Sequence, residues 1–143
     1  MNTDLPIVLV DMNVILDLVL VRVPWVDESG ALMSALQRGV ARGVIASHSV
    51  TTIYYLVSRM SGPVRARQVV HDLLETLEVI PVSANELRRA MSRTMHDFED
   101  AVQAEAAVAC GARWIATRNI KDFASSDVPA RSPGQLLGVL TLN

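Results

Sequence analysis

The chain alternates short, continuously apolar runs with segments that carry helix signals. The clearest runs are PIVLV (6–10), VIAS (44–47), EVIPV (78–82) and RWIAT (113–117). Short runs rich in Val and Ile are typical of strands that are buried on both faces of a parallel sheet. Strands that alternate with helices predict a three-layer α/β/α fold with a mainly parallel central sheet of four or five strands.

Capping residues, proline and glycine mark helix boundaries between these runs. Ser83 is followed three residues later by Glu86, which is a capping-box spacing, and Pro63 suits the first turn of a helix. Gly111 is placed to end a helix, and Ser132 precedes a proline at another helix start. We expect helices at about 13–20, 27–42 with Gly43 just past the end, 49–60, 64–77, 83–95 and 97–110, with a last one opening at SPGQLL.

Composition restricts the classes of protein. A length of 143 residues, half of them apolar and 20% charged, predicts a single compact domain over 1–143. Asp11, Asn13 and Asp17 interrupt the most apolar stretch before it reaches the roughly 18 residues of a membrane span. Cys110 is the only cysteine, so no internal disulfide forms, and we expect a cytoplasmic protein with no membrane partner.

Charge restricts the way in which the chain could bind nucleic acid. The formal net charge of −2 argues against nonspecific coating of nucleic acid through bulk positive charge. Twelve of the thirteen basic residues are Arg, whose forked guanidinium suits local phosphate contacts. The net charge therefore does not exclude an enzyme that binds nucleic acid at one local site.

Three segments supply carboxylates for a site. Asp11 directly follows the first predicted strand, Asp97, Glu99 and Asp100 lie in HDFEDA, and Asp122 lies beyond the fourth strand. Clustered carboxylates are hard oxygen ligands for Mg²⁺ or Mn²⁺, and such an ion removes their mutual repulsion. A bound divalent ion also activates water against a phosphodiester, so the pattern favours metal-dependent hydrolysis.

Each acid also has a structural interpretation. Asp11 could simply end a strand and pair with an arginine. Asp97 is a good N-cap residue. Glu99 and Asp100 suit the first turn of a helix, where the helix dipole favours negative charge. Asp122 has the character of a turn residue. The site interpretation gains weight if the first and fourth strands are neighbours, because ligands of parallel sheets bind beyond the strands' carboxyl ends.

Other chemistries find little support in the sequence. His48, His71 and His96 share no metal-ligand spacing, and no G-x-S-x-G elbow surrounds any serine. Lys121 is the only lysine and lies in no phosphate-binding loop, which argues against nucleoside triphosphates. A phosphatase of the haloacid dehalogenase type would need a second Asp where Asn13 stands.

At this point four segments together resemble a PIN domain of the bacterial VapC-like toxin ribonuclease type. They are LVDMNVILDLVLVRVPW, ASHSVTTIYYLVSR, DFEDAVQAEAAVACGARWIATRNIKDF and SPGQLL. The resemblance implies a metal-dependent endoribonuclease that cleaves single-stranded RNA with Mg²⁺ or Mn²⁺. It also implies a homodimer, and the role of toxin beside an antitoxin protein.

The resemblance also implies roles for individual residues. Asp11 and Asp100 would ligate the metal, with Asp97 as a further catalytic carboxylate. The remaining residues would position phosphate or support the ligands, namely Asn13, Thr117, Asn119 and Asp122. Apart from the resemblance, Arg118 and Lys121 lie in the same loop as Asn119 and could contact the RNA backbone, although ordinary solvated loop charges are an equal explanation.

The chain departs from the family pattern at Thr52, where members commonly carry Glu, and at Asn119, where many carry Asp. The number of bound metals is therefore open. A degenerate PIN domain that serves as a non-catalytic RNA-binding or protein-interaction module is the alternative. In either case the predicted helices at 27–42 and 49–77 offer apolar surface for a dimer or an antitoxin.

Overall fold

The computed structural model describes residues 4–141 and confirms the predicted α/β/α class. Its five strands form one parallel sheet in the order β3-β2-β1-β4-β5, with β1 at the centre. The strands are β1 (Ile7–Val10), β2 (Arg42–Ala46), β3 (Glu78–Ile80), β4 (Trp114–Ala116) and β5 (Ala130–Arg131).

Seven α-helices cover the two faces of this sheet. Their bounds are α1 (Met12–Val19), α2 (Val26–Gln37), α3 (Ser47–Ser61), α4 (Pro63–Thr76), α5 (Ala84–Met91), α6 (Phe98–Cys110) and α7 (Pro133–Leu140), with a 3₁₀ helix at Ile120–Phe123. No helix within residues 4–141 has the length and apolar character needed to cross a bilayer.

Alternating side chains of β1 divide the core into two parts. Val8 and Val10 face a large cluster to which α1, α2, α3, α4 and α7 contribute. Leu9 faces the other side, where it packs with Ile115 of β4 and with the alanines of α6. Because β1 is buried on both faces, its sequence is apolar at every position, as expected for a central parallel strand.

Local signals placed several helix ends correctly. Ser83 and Glu86 form the predicted capping box at α5, and Ser132 forms another with Gln135 at α7. Gly111 follows α6 with a positive φ of 75°, a conformation that glycine adopts without steric cost.

The predicted end of the second helix was wrong. α2 ends at Gln37, and Gly39, with a φ of 86°, makes the turn instead of Gly43. Gly43 lies inside β2, where an added Cβ would come within 2.6 Å of Leu77 Cδ2 and 3.0 Å of Leu36 Cδ1. This glycine therefore serves close packing of the sheet against its helices.

Two further boundaries differ from the sequence predictions. α3 begins at Ser47, directly after β2, and its N-cap is Ala46 rather than a polar residue near Ser49. α5 ends at Met91 instead of about residue 95.

Candidate active site

The buried carboxylate of Asp11 lies at the carboxyl edge of the sheet. Asp11 follows β1 directly and serves as the N-cap of α1, and its residue is only 2% exposed. Its backbone N–H donates to the carbonyl oxygen of Ala116 at 2.9 Å, which continues the pairing of β1 with β4. The neighbouring strands thus bring Asp11 beside Thr117, as the sequence predicted for adjacent strands.

Two uncharged side chains donate hydrogen bonds to the Asp11 carboxylate. The Thr117 hydroxyl donates to Oδ2 at 2.8 Å, and the Gln103 amide donates to Oδ1 at 3.1 Å. Within residues 4–141 the hydrogen-bond partners of the Asp11 carboxylate are these two groups, and no arginine forms an ion pair with it. The structural alternative, a strand-end Asp neutralised by Arg, is therefore not what the described residues show.

Gln103 is a site residue that the sequence reasoning missed. It lies in α6, three residues after Asp100, and is 2% exposed. A polar side chain in the middle of the buried, alanine-rich stretch 101–107 was the available signal. Its Oε1 has no hydrogen-bond partner among the described residues, so one acceptor beside Asp11 stays free.

Asp97 and Asp100 open α6 on the same edge of the sheet. Asp97 is the N-cap, and its Oδ1 accepts a hydrogen bond from the Asp100 backbone N–H at 3.0 Å. The N-cap interpretation of Asp97 is thus correct, and it leaves the second carboxylate oxygen available for other partners.

The half-buried Asp100 carboxyl lies in an acidic environment. Burial first and neighbouring negative charges second together raise its pKa from the ordinary 3.8 to about 7. The charges that raise this pKa belong, in descending order, to Asp97, Asp11, Asp122 and Glu99. Acids from three segments of the chain therefore converge on one place, which we call the acidic pocket and which comprises Asp11, Asp97, Glu99, Asp100 and Asp122.

The remaining predicted polar residues lie around this acidic pocket. The Thr117 hydroxyl also accepts the backbone N–H of Asn119 at 3.0 Å, which orders the loop after β4. Asp122 is exposed in the 3₁₀ helix, and its N–H donates to the Asn119 carbonyl oxygen at 3.0 Å. Asn13 lies half-buried in the first turn of α1, two residues from Asp11.

Comparison with known proteins fits this arrangement. The family model described as PIN domain matches residues 7–121, which is most of the chain. The chain belongs to the PIN domain family. None of the curated protein sequences matches it.

Solved structures with the same fold include toxin–antitoxin proteins. VapBC2 from Rickettsia felis, bound to a DNA fragment from its promoter, has 18% identity and a TM-score of 0.69, covering 88% of this chain and 98% of that chain. A toxin–antitoxin complex from Klebsiella pneumoniae has 22% identity and a TM-score of 0.66, covering 88% and 97%. VapC20 from Mycobacterium tuberculosis, a Sarcin-Ricin loop cleaving toxin, has 14% identity and a TM-score of 0.69, covering 82% and 94%. At these identities the likeness shows the fold.

In this PIN domain, Arg118 is turned away from the acidic pocket. Its Nε donates to Oδ2 of the buried Asp17 at 2.7 Å, and its guanidinium lies 4.0 Å from the ring centroid of Trp25. Arg22 approaches the other Asp17 oxygen at 3.5 Å. The predicted contact of Arg118 with RNA stays a prediction, and this ion pair disfavours it, whereas Lys121 is exposed.

Thr52 occupies the place where the family pattern carries Glu. Its hydroxyl donates to the His48 carbonyl oxygen of its own helix at 3.1 Å, and the Thr51 hydroxyl does the same at 3.0 Å. Such bonds turn a hydroxyl back toward the helix backbone. Thr52 therefore offers the site no anionic ligand.

The carboxylates of this site suit one divalent ion that keeps most of its water ligands. They suit less well an ion that is surrounded by protein ligands on all sides. Within residues 4–141, no group of three or more His, Cys, Asp or Glu side chains is arranged to hold a metal. Mg²⁺ does not require such a group, because it usually keeps several waters and binds through one or two carboxylates. The raised pKa of Asp100 marks a surplus of negative charge near Asp11 that such a cation would neutralise.

Proposed function

We propose that this PIN domain is a metal-dependent endoribonuclease that cleaves single-stranded RNA, and that it acts as the toxin of a toxin–antitoxin pair. The observation that carries the proposal is the acidic pocket at the carboxyl edge of the sheet. It contains the buried Asp11 and also Asp100, whose pKa is raised by burial and by neighbouring negative charges. Members of this family are typically nucleases, and such nucleases generally use divalent metal ions.

Asp11 and Asp100 are the residues that would hold a Mg²⁺ or Mn²⁺ ion. When bound, such an ion neutralises charge on the phosphodiester and activates water for hydrolysis. Thr117 and Gln103 fix the orientation of the Asp11 carboxylate through their two hydrogen bonds. Ligands held in this way lose less freedom when they bind a cation.

Asp97 and Asp100 contribute differently, although both belong to the first turn of α6. The Asp97 oxygen that does not cap the helix is free to orient a water molecule. Asp100 retains a proton up to about pH 7 and must release it to act as a ligand. Asn13 and Asn119 would position the substrate as neutral hydrogen-bonding groups.

RNA is the substrate that the comparisons favour. VapC20 is a Sarcin-Ricin loop cleaving toxin, and it shares the fold over 82% of this chain. The exposed Lys121 in the loop after β4 is available to the RNA backbone, although it is a single charge. A negatively charged pocket with few cations nearby suits a substrate whose phosphates arrive together with a metal.

The test is cleavage of single-stranded RNA by the purified chain with Mn²⁺ or Mg²⁺, compared with the same reaction in EDTA. We expect metal-dependent cleavage by the wild type, and a loss of at least about a hundredfold in Asp11→Asn and Asp100→Asn, since each removes a charged ligand. Asp72→Asn, which changes an exposed carboxylate of α4, is the matched control and should cleave normally. Full activity in either pocket variant would contradict these assignments.

Metal binding has a readout that needs no catalysis. A ligand that binds only the folded state at one hundred times its Kd stabilises that state by about 2.7 kcal/mol. Mn²⁺ should therefore raise the melting temperature of the wild type and of Asp72→Asn, and raise that of Asp11→Asn much less. An equal rise in all three proteins would place the ion elsewhere.

An antitoxin partner is supported by a groove on the face opposite α6. A groove of about 550 Å³ lies between α1, α2 and α4, with apolar Ile15, Leu18 and Val69 and the charged Arg65 and Asp72 in its lining. Several toxin–antitoxin complexes share this fold, including the one from Klebsiella pneumoniae. A segment with alternating apolar and charged side chains is the chemistry that this groove would take.

The exposed Ser34 of α2 lines this groove and allows a mild test. A small protein encoded beside this chain, if co-expressed, should bind the wild type and suppress its RNA cleavage. Ser34→Arg should weaken that binding by obstructing the groove, whereas Ser92→Arg, at the exposed residue just past the end of α5, should not. A neighbouring protein that binds both variants equally would contradict the groove, and the absence of any such protein would contradict the toxin role.

A homodimer is part of the proposal as well. Tyr55, Met60 and Val64 are large apolar side chains that stay exposed on α3 and α4. Light scattering should give twice the chain mass of 15.6 kDa for the wild type. A shift toward the monomer is expected for Met60→Asp, and a monomeric wild type would refute the dimer.

The alternative is a degenerate PIN domain that binds RNA or protein without catalysis. The neutral Thr52, with its hydroxyl turned into its own helix, is the observation that favours it. Calorimetry separates the two proposals. Divalent-ion binding that is lost in Asp11→Asn supports the nuclease, and no binding at millimolar concentrations supports the non-catalytic module.

A further inference from the structure

The first turn of α3 contains buried polar atoms that lack a partner in the described part of the chain. The Ser49 residue is 1% exposed and its Oγ has no hydrogen-bond partner, and the same is true of the buried Nδ1 of His48. The N-cap of this helix is Ala46, whose side chain has no oxygen to accept a backbone N–H. A helix start normally satisfies its free N–H groups with such an oxygen, with water or with a ligand.

These unpartnered groups share a chemical character. The N–H groups of the first turn are donors, the serine hydroxyl is a donor, and His48 becomes one in the tautomer that carries its proton on Nδ1. Helical side chains lean toward the N-terminal end, so the Ser49 hydroxyl is directed to the same end as the free N–H groups. Donors at a helix N-terminus, aided by the helix dipole, form a site for an anion.

This helix start lies beside the acidic pocket. In the pairing of β1 with β2, Leu9 is level with Val44, so two residues further on Asp11 comes level with Ala46. On the α6 side, the charge of Glu99 acts both on His48 and on Asp100. An anion bound at the first turn of α3 would therefore lie next to a metal ion or phosphodiester bound in the acidic pocket.

The charges around the pocket explain why neutral donors would be needed here. Asp11, Asp97, Glu99 and Asp100 all repel phosphate, and the guanidinium of Arg118 is committed to Asp17. A polyanionic chain can enter such a site only where the local field is favourable. The uncapped N-terminus of α3 supplies that field without adding a cation that would compete with a metal for the carboxylates.

We propose that the first turn of α3, Ser47–Ser49, binds a backbone phosphate of RNA next to the phosphodiester that is cleaved. The backbone N–H groups, the Ser49 hydroxyl and the His48 ring are its hydrogen-bond donors. This inference rests on the proposed nuclease function and adds to it the groups that seat the RNA strand. It also gives the unpaired Ser49 hydroxyl a role that packing alone does not provide.

Two variants of this turn test the proposal by opposite changes. Ser49→Ala removes the unpaired hydroxyl, and Ala46→Ser adds an N-cap oxygen that competes with the phosphate for the N–H groups. Each should weaken the binding of a fluorescein-labelled single-stranded RNA in EDTA by about 3- to 10-fold, the effect of losing one hydrogen bond. The melting temperature of Ser49→Ala should stay equal to that of the wild type or rise, since this variant removes an unsatisfied buried group. Ala46 is fully buried in the apolar cluster around Leu9, so the affinity of Ala46→Ser is measured at a temperature at which circular dichroism shows it folded.

The control is Thr51→Ala, on the next turn of the same helix. The exposed Thr51 hydroxyl bonds the His48 carbonyl oxygen and is not one of the proposed donors, so RNA affinity should stay within about twofold of the wild type. A merely structural role for Ser49 and Ala46 would leave RNA affinity unaltered in both variants, whatever their melting temperatures.

Cleavage kinetics with Mn²⁺ give the second readout. Ser49→Ala and Ala46→Ser should raise KM by a similar factor while kcat changes little. A wild type that cleaves no RNA would overturn the nuclease proposal, whatever the variants do. A wild type that cleaves RNA, with both variants matching its affinity and its KM, would overturn the phosphate site alone.

Discussion

Replacing Asp100 by asparagine should make the metal-free protein more stable at pH 8. The carboxyl group of Asp100 is half-buried among acids, and its pKa of about 7 in the folded chain lies well above the ordinary 3.8. Between those two pH values the folded state holds a proton that the unfolded state has lost. The stability of the wild type therefore falls as the pH rises from about 4 to about 7 and is then constant, as far as this group is concerned.

The size of the effect follows from the same shift. A change from 3.8 to about 7 corresponds to an upper bound of about 4 kcal/mol at 1.36 kcal/mol for each pKa unit. Asp100 is only half-buried, and screening by water reduces this to about 1–2 kcal/mol. For a chain of this length that equals a rise in melting temperature of about 3–6 °C in Asp100→Asn at pH 8.

Differential scanning calorimetry in EDTA at pH 4 and pH 8 measures this difference directly. The gap between Asp100→Asn and the wild type should be near zero at the lower pH and open at the higher one. Asp72→Asn, which changes an exposed carboxylate, should follow the wild type at both pH values. An Asp100→Asn protein that is no more stable than the wild type at pH 8 would refute the view that acids converge on Asp100.

Three further predictions concern single contacts. Thr117→Val removes the 2.8 Å hydrogen bond to the buried Asp11, so we expect a loss of about 1–3 kcal/mol in urea unfolding together with weaker metal binding by calorimetry. Val21→Asn should stabilise the chain by about 1 kcal/mol in the same assay, because the exposed Val21 has a φ of 53° that asparagine tolerates better. Gly43→Ala should destabilise by about 1–3 kcal/mol, since its Cβ would meet Leu77 Cδ2 at 2.6 Å, and an unchanged midpoint would mean that Leu77 moves freely.

The sequence predicted the fold well because β1 and its neighbours are buried on both faces. Such strands must be apolar at every position, which makes them visible without knowledge of their partners. The order of the strands depends on contacts between distant segments, and only the structure gives it. The misplaced end of α2 has a similar origin, because Gly39 and Gly43 are equally good helix stops and tertiary packing decides between them.

The candidate site was predicted in part for the same reason. Asp11 and Thr117 follow strands, so the rule that ligands bind beyond the carboxyl ends predicted their meeting, and the structure confirms it. Gln103 and Ser49 were not predicted as site residues. The interruption of the alanine-rich stretch 101–107 was a weak signal for Gln103, whereas a buried serine hydroxyl near a helix start has no distinctive sequence pattern. Their importance appears only when hydrogen-bond partners are counted atom by atom.

The arrangement of charge around the pocket has one consistent physical logic. Arg118 follows the strand next to Asp11 and would neutralise the acidic pocket if it paired with the carboxylates there, yet it pairs with the buried Asp17 and packs on the ring of Trp25 instead. The pocket thus keeps a surplus of negative charge at the expense of stability, as the raised pKa of Asp100 indicates. A site that retains such an unfavourable arrangement is suited to binding a cation, because the ion relieves a repulsion that the protein itself leaves uncompensated.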